Sequence, residues 1–238
     1  MKTALVTGAN KSIGFEVTKQ LLDLGYHVYL GSRDLEKGKA AVAQLKSTEV
    51  EAIAIDVSDQ ASIDMARKKI DSLDVLINNA GISGGFPQNA STLDTNVIRE
   101  VFDTNFFGTI NITKAFLDLL KKSDAPRIIN VTSGLASLTM HNDPNWKYYN
   151  IKGGAYGPSK TALNAYTVAL AYELRDTTFK INAVDPGYTA TDFNQHRGPG
   201  TVEDAAARIV KYAVIDENGP TGKFFSDDNN AGTGVSPW

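Results

Sequence analysis

From Thr3 to Phe225 the chain alternates short apolar, β-rich runs with stretches of helical periodicity, and this alternation restricts its possible folds more than any other feature. Strands are expected at Thr3–Val6, Val28–Leu30, Ala52–Ile55, Val75–Ile77, Arg127–Val131 and Lys180–Val184, with a short final one at Lys223–Phe225. Between the first two, Ile13, Val17, Leu21 and Leu24 keep helical spacing from Ser12 until Gly25 stops it. Leu35–Leu45 is helical, with Asp34 or Ser32 as N-cap. A helix capped by Ser58 follows the third strand. After a polar, Gly-rich loop (Ser83–Ser91), a long helical stretch runs to about Leu120, broken near Asn105–Gly108. Tyr156–Leu174 and Val202–Val214 complete the helices, Pro158 being tolerated in a first turn. Strand and helix in regular alternation imply an α/β protein: a parallel sheet with helices on both faces. No composition shift or linker interrupts it, so residues 1–238 read as one domain.

Composition narrows the function. With 42% hydrophobic and 21% charged residues, the 238-residue chain can bury a substantial core. A net charge of −3 lends no support to a nucleic-acid or membrane-surface partner. There is no cysteine, which removes disulfides, thiolate nucleophiles and Cys-based zinc sites. His27, His141 and His196 lack metal-ligand spacing and read as surface or loop residues, so no metal is expected. The expected location is cytoplasmic.

Two stretches point to chemistry. Tyr156 and Lys160 are four residues apart, which on a helix stacks them on one face. A nearby ammonium favours the phenolate, making the phenol a usable proton donor or acceptor; the alternative is a solvated surface pair. The first strand runs into Thr7-Gly8-Ala9-Asn10-Lys11-Ser12-Ile13-Gly14, a turn whose backbone N–H groups can approach a pyrophosphate at a helix N-terminus. The end of the second strand holds Ser32-Arg33, where an NAD site usually has an acid for the ribose 2′-hydroxyl. Arg33, with Lys11, suits a 2′-phosphate and therefore NADP; Asp34 beside it, or Arg33 as a plain helix-start residue, is the competing reading.

These segments, with Asp56-Val57, Asn78-Asn79-Ala80-Gly81, Asn105, Ser133 and Asp185-Pro186-Gly187, resemble the short-chain dehydrogenase/reductase family over essentially the whole chain. Within it the chain looks most like the NADPH-dependent carbonyl reductases, through Asn105-Phe106-Phe107-Gly108-Thr109 and Gly219-Pro220-Thr221-Gly222-Lys223-Phe224-Phe225. The resemblance implies a Rossmann-type, doubly wound, seven-stranded, mostly parallel sheet in the order 3-2-1-4-5-6-7. It implies hydride transfer from NADPH to an aldehyde or ketone, a small-molecule carbonyl substrate. Tyr156 is then the general acid, and Lys160 lowers its pKa and binds the nicotinamide ribose. Ser133 holds the substrate oxygen, and Asn105 keeps a water in a proton relay. Gly8, Asn10, Lys11, Ser12, Ile13 and Gly14 face the phosphates. Asp56 and Val57 face the adenine, and Asn79, Ala80 and Gly81 the adenosine ribose, although Asn79 equally suits a structural amide. Pro186, Gly187 and Thr189 face the nicotinamide.

The pattern is broken in two places. Ser12 stands where the turn's middle glycine is expected. The segment at about 134–155 is longer than in the commonest members, and its aromatics, Trp146 among them, are expected to border the substrate. A loop at about 188–201 is expected to form a mobile lid carrying Phe193 to the substrate, with a plain solvent loop as the alternative. The insertion is intermediate in length, which leaves monomer and homo-oligomer open. Two other functions compete: an NAD-linked alcohol dehydrogenase of the same family, and a non-catalytic NADP(H)-binding regulator.

Overall fold

A computed structural model describes residues 1–238. The strands are β1 (Thr3–Val6), β2 (His27–Ser32), β3 (Val50–Ala54), β4 (Val75–Asn78), β5 (Arg127–Val131), β6 (Lys180–Val184) and β7 (Phe224–Phe225). They form one sheet in the order β3-β2-β1-β4-β5-β6-β7, with every pair parallel. Parallel neighbours need a crossover, which the helices supply. These are α1 (Ser12–Asp23), α2 (Leu35–Leu45), α3 (Gln60–Arg67), α4 (Thr95–Phe102), α5 (Gly108–Leu120), α6 (Leu138–His141), α7 (Tyr156–Glu173) and α8 (Val202–Ala213).

Successive strand residues point to opposite faces, and the core is split accordingly. Ala4, Val6, Val75 and Ile77 pack with Val17 and Leu21 of α1 and Ile209 of α8 on one face. Leu5 and Leu76 pack with Ile63 of α3, Ile112 and Phe116 of α5, and Leu170 of α7 on the other. Each such Val, Leu, Ile or Phe side chain withdrawn from water contributes about 1.5–3 kcal/mol.

Three local features differ from expectation for identifiable reasons. Asp59, not Ser58, caps α3: its carboxylate accepts from Ala61 N at 3.0 Å, while Ser58 donates to Asp56 Oδ1 at 2.6 Å. The break before α5 is a π-helical turn, Asp103–Phe107, joining α4 to α5. His27 opens β2 and His141 ends α6, so two of the three histidines lie in regular elements.

The C-terminal segment folds back over the sheet edge. Ser236 N donates to Phe224 O at 2.9 Å, and Phe225 pairs antiparallel with Val235. The same segment reaches the 134–155 insertion: Asn229 Nδ2 donates to Gly134 O at 3.2 Å, and Thr139 N donates to Trp238 O at 3.0 Å. No helix is long and apolar enough to cross a membrane.

Candidate active site

The carboxyl ends of the strands open onto one cleft of about 1560 Å³. Pockets for drug-sized ligands span about 300–1,000 Å³, so this larger cleft has room for a dinucleotide and a second molecule. All the residues assigned to the dinucleotide line it, together with Ser133 and Phe193.

Its floor is the turn between β1 and α1. Gly8 has φ +62°, and a Cβ there would lie 2.9 Å from Ala80 Cα. A Cβ on Gly14 would meet Asn79 Nδ2 at 2.5 Å and Gly8 O at 2.7 Å. Asn79 Nδ2 donates to Thr7 O and Gly8 O, at 2.9 and 3.1 Å, and so stitches β4 to the turn. The N-terminus of α1 has neither a side-chain cap nor an acid in its first turn, leaving its N–H groups and positive end to an anion. A phosphate-bearing group fits this cradle. Ser12 adopts φ +52°, the left-handed conformation that explains why glycine is expected there.

At the end of β2, Arg33 is exposed and makes no ion pair. The Asp34 carboxylate is turned away into a helix cap, accepting from Glu36 N at 3.0 Å and Lys37 N at 3.2 Å. The bond from Lys37 N is the main cause holding it below the usual carboxylate range. Lys11 does not share Arg33's surroundings: its Nζ lies 2.7 Å from Asp192 Oδ2, in the loop across the cleft.

Lys160 and Tyr156 open the inward face of α7. Lys160 is 4% exposed, its Nζ donates to Val131 O at 2.8 Å and lies 5.9 Å from the Tyr156 ring centre. Burial pushes Lys160 down to about 8. The expected lowering of the phenol is not present. Burial, then the Asp185 carboxylate, pushes Tyr156 up, against a smaller downward pull from the neighbouring Ser133 hydroxyl. The reason is physical: a desolvated lysine held by a backbone carbonyl stabilises a phenolate less than dry surroundings penalise it. Asp185 is also pushed up by burial; it accepts from Ser226 Oγ at 2.6 Å and Gly187 N at 3.0 Å.

Asn105 lies in the π turn beside the cleft, fully buried. Its Oδ1 accepts from Ile82 N at 2.8 Å; its Nδ2 donates to Ile82 O and Ser159 Oγ, each at 3.0 Å. The amide is thus committed to protein partners, and its backbone carbonyl accepts from Thr109 Oγ1 at 3.1 Å. Asn105 Oδ1 and Lys160 Nζ both approach Gly81, at 3.2 and 3.6 Å from where its Cβ would stand.

On the substrate side one expectation is corrected. Trp146 is only 6% exposed and does not line the cleft; its Nε1 donates to Asn229 Oδ1 at 3.1 Å. Tyr148 faces the cleft instead, its hydroxyl donating to Asp228 Oδ2 at 2.8 Å. Phe193 packs on Tyr156, the ring centres 5.3 Å apart. Its loop is closed by Ala190 N to Gly200 O at 3.0 Å and Gly200 N to Tyr188 O at 3.1 Å. Leu135 and Ile151 of the 134–155 segment and Tyr188 of the 188–201 loop also line the cleft, although none was singled out, and so does Asp228, which lies outside both segments and carries no local motif that marks it.

Comparison with known proteins agrees with this geometry. Residues 2–201 match the short chain dehydrogenase family. (+)-Neomenthol dehydrogenase of Arabidopsis thaliana is 33% identical, over 94% of this chain and 95% of that protein. The structure of salutaridine reductase from Papaver somniferum superposes with a TM-score of 0.80 at 30% identity, covering 95% of this chain and all of that one. NADPH-bound carbonyl reductase from chicken fatty liver gives 0.84 at 27% identity, covering 100% and 99%. The turn under the cleft, the Tyr156–Lys160 helix and the match along the chain together make this protein an oxidoreductase of the short-chain dehydrogenase family.

Proposed function

We propose that this protein is an NADPH-dependent reductase of aldehydes or ketones. The observation that carries the reading is the convergence of Ser133, Tyr156 and Lys160 on the cleft floored by the Gly8–Gly14 turn. The dinucleotide would be held by that turn, by Asp56 and Val57, by Asn79–Gly81 and by Pro186, Gly187 and Thr189, and it supplies the hydride. Arg33 would bind the 2′-phosphate; Asp34, occupied as a helix cap, leaves an NAD-type ribose contact without its acid. In this reading Ser133 holds the carbonyl oxygen and Tyr156 gives it a proton. A phenol kept protonated by burial is well suited to act as an acid. Lys160 holds the nicotinamide ribose, and Asn105 fixes the loop of Ile82 beside it. The apolar wall formed by Phe193, Leu135 and Ile151 favours a partly apolar carbonyl compound. The relatives named for neomenthol and salutaridine lend support to such a substrate.

The test is consumption of NADPH with a panel of aldehydes, diketones and quinones. Turnover with at least one member, lost in Tyr156→Phe while NADPH still binds, is expected. Equal turnover with NADH, or a Tyr156→Phe variant as active as the parent, would refute the reading.

A further inference from the structure

Helix α7 begins at the tyrosine on which the proposed chemistry depends, yet it carries no cap of its own. Ala155, at the N-cap position, has no side chain able to accept a hydrogen bond. The first N–H groups of a helix need an acceptor, especially where buried, and Ala155 is fully buried.

The acceptor comes from 68 residues upstream. Gln88 Oε1 accepts from Tyr156 N at 3.0 Å and from Ala155 N at 3.3 Å. Its Nε2 donates to Ser83 O and to Gly85 O, the latter at 2.9 Å. Its own backbone carbonyl accepts from Gly154 N at 2.9 Å. The amide is 3% exposed, and its orientation is unambiguous. Exchanging O and N would set an NH2 against two N–H donors and an oxygen against two carbonyls. Gly153 and Gly154 make room for it: a Cβ on Gly153 would lie 2.8 Å from Gln88 Oε1, and one on Gly154 3.1 Å from Ala90 Cα. The other end of the Tyr156 peptide is fixed as well, its carbonyl accepting from Ser159 Oγ at 2.7 Å, and Ser159 is bonded to Asn105.

We propose that Gln88 is a positioning residue for Tyr156: a cap lent to α7 by another loop, which sets where the phenol stands. The same side chain grips Ser83 and Gly85, whose loop lines the cleft, so that wall and the proton donor are joined through one amide. The proposal rests on Tyr156 being the acid. A shift of about 1 Å at a reacting group costs on the order of 100-fold in rate, so a loosened helix start is felt chiefly in kcat.

The test compares Gln88→Met, which removes both functions, with Gln88→Glu, whose carboxyl, kept protonated by burial between the Ser83 and Gly85 carbonyls, keeps the acceptor for α7 and gives up one of the two donors to the loop. In Gln88→Met, kcat is expected to fall about tenfold or more while NADPH affinity stays within about twofold. Gln88→Glu is expected to recover most of that loss. Amide hydrogen exchange at Ala155 and Tyr156, read by NMR, is expected to speed up in Gln88→Met alone. Equal losses in the two variants would assign the effect to the loop and overturn the proposal, as would an unchanged kcat in Gln88→Met. The exchange measurement needs no turnover. If the parent reduced no carbonyl, the proposed function would fall, while unaltered exchange in Gln88→Met would separately disprove the cap.

Discussion

Lys11 and Asp192, 181 positions apart in the chain, meet across the mouth of the cleft at 2.7 Å. Lys11 belongs to the turn between β1 and α1 and Asp192 to the loop opposite, where His196 is a second partner at 2.9 Å. Both members of the pair are more than half exposed, and water and salt screen such a pair so that it adds little to stability. A phosphate can therefore compete for Lys11. Asp192→Asn should release the lysine and tighten NADPH by a fewfold, with the difference shrinking at high salt. Titration of cofactor fluorescence at low and high ionic strength checks this; unchanged or weaker binding would mean that Lys11 never turns to the cofactor.

Arg33 and Asp34 are adjacent, yet only one faces the cleft as a free charge. Arg33→Asp is expected to weaken NADPH by about 10–100-fold, the worth of a charge-assisted hydrogen bond, and to leave NADH almost unaffected. Binding constants for both dinucleotides measure it. Asp34→Ala should act on stability instead, through the lost α2 cap, and show as a lower urea midpoint.

The two shifted groups on α7 predict a pH profile. Up to about pH 8 Lys160 holds its charge, and Tyr156, pushed upward, holds its proton. Those are the states a reduction needs. Beyond about 8 the lysine discharges first, so reductive kcat/KM should be level at lower pH and decline above it. Stability moves the other way. Lys160 titrates near 8 when folded against 10.5 when unfolded, so the folded chain loses its proton first and this group adds stability as pH rises between them. Steady-state rates and denaturant titrations across that range test both signs; a decline beginning only near the ordinary lysine value would contradict the buried ammonium.

Ser12 adopts a conformation that costs a residue with a Cβ about 1–2 kcal/mol. Glycine brings its own entropy penalty of about 0.5–1 kcal/mol. Ser12→Gly should accordingly stabilise the protein by about 0.5–1 kcal/mol, seen as a higher urea midpoint at unchanged m. A lower midpoint would show that the hydroxyl, not the backbone, governs this position.

The sheet was legible because its signals are local. Alternation in Ala4-Leu5-Val6 and the 3.6 period of Val17 and Leu21 need no knowledge of distant residues, and both faces formed as the pattern requires. Ser133 and Pro186 could be assigned to the strand ends by the same means. Whether Trp146 or Tyr148 faces the cleft could not be read. That choice is made by Asn229 and Asp228, which take one side chain each from more than 75 positions away. The helix beginning at Tyr156 was legible, but its cap was not, since Ala155 gives no hint that its acceptor is Gln88. The direction of the Tyr156 shift was missed because spacing reports a neighbouring charge but not the absence of water around it.

The backfolded C-terminal segment ties together two things a designer would treat separately. It shields the two-residue β7 edge and, through Asp228 and Asn229, props the aromatic wall carried by residues 146–148. The glycine turn, at the end of β1, and Arg33, at the end of β2, lie four and five strands away from β7. Unfastening this flap should therefore blur the enzyme's choice among carbonyl compounds well before it weakens its grip on the nucleotide.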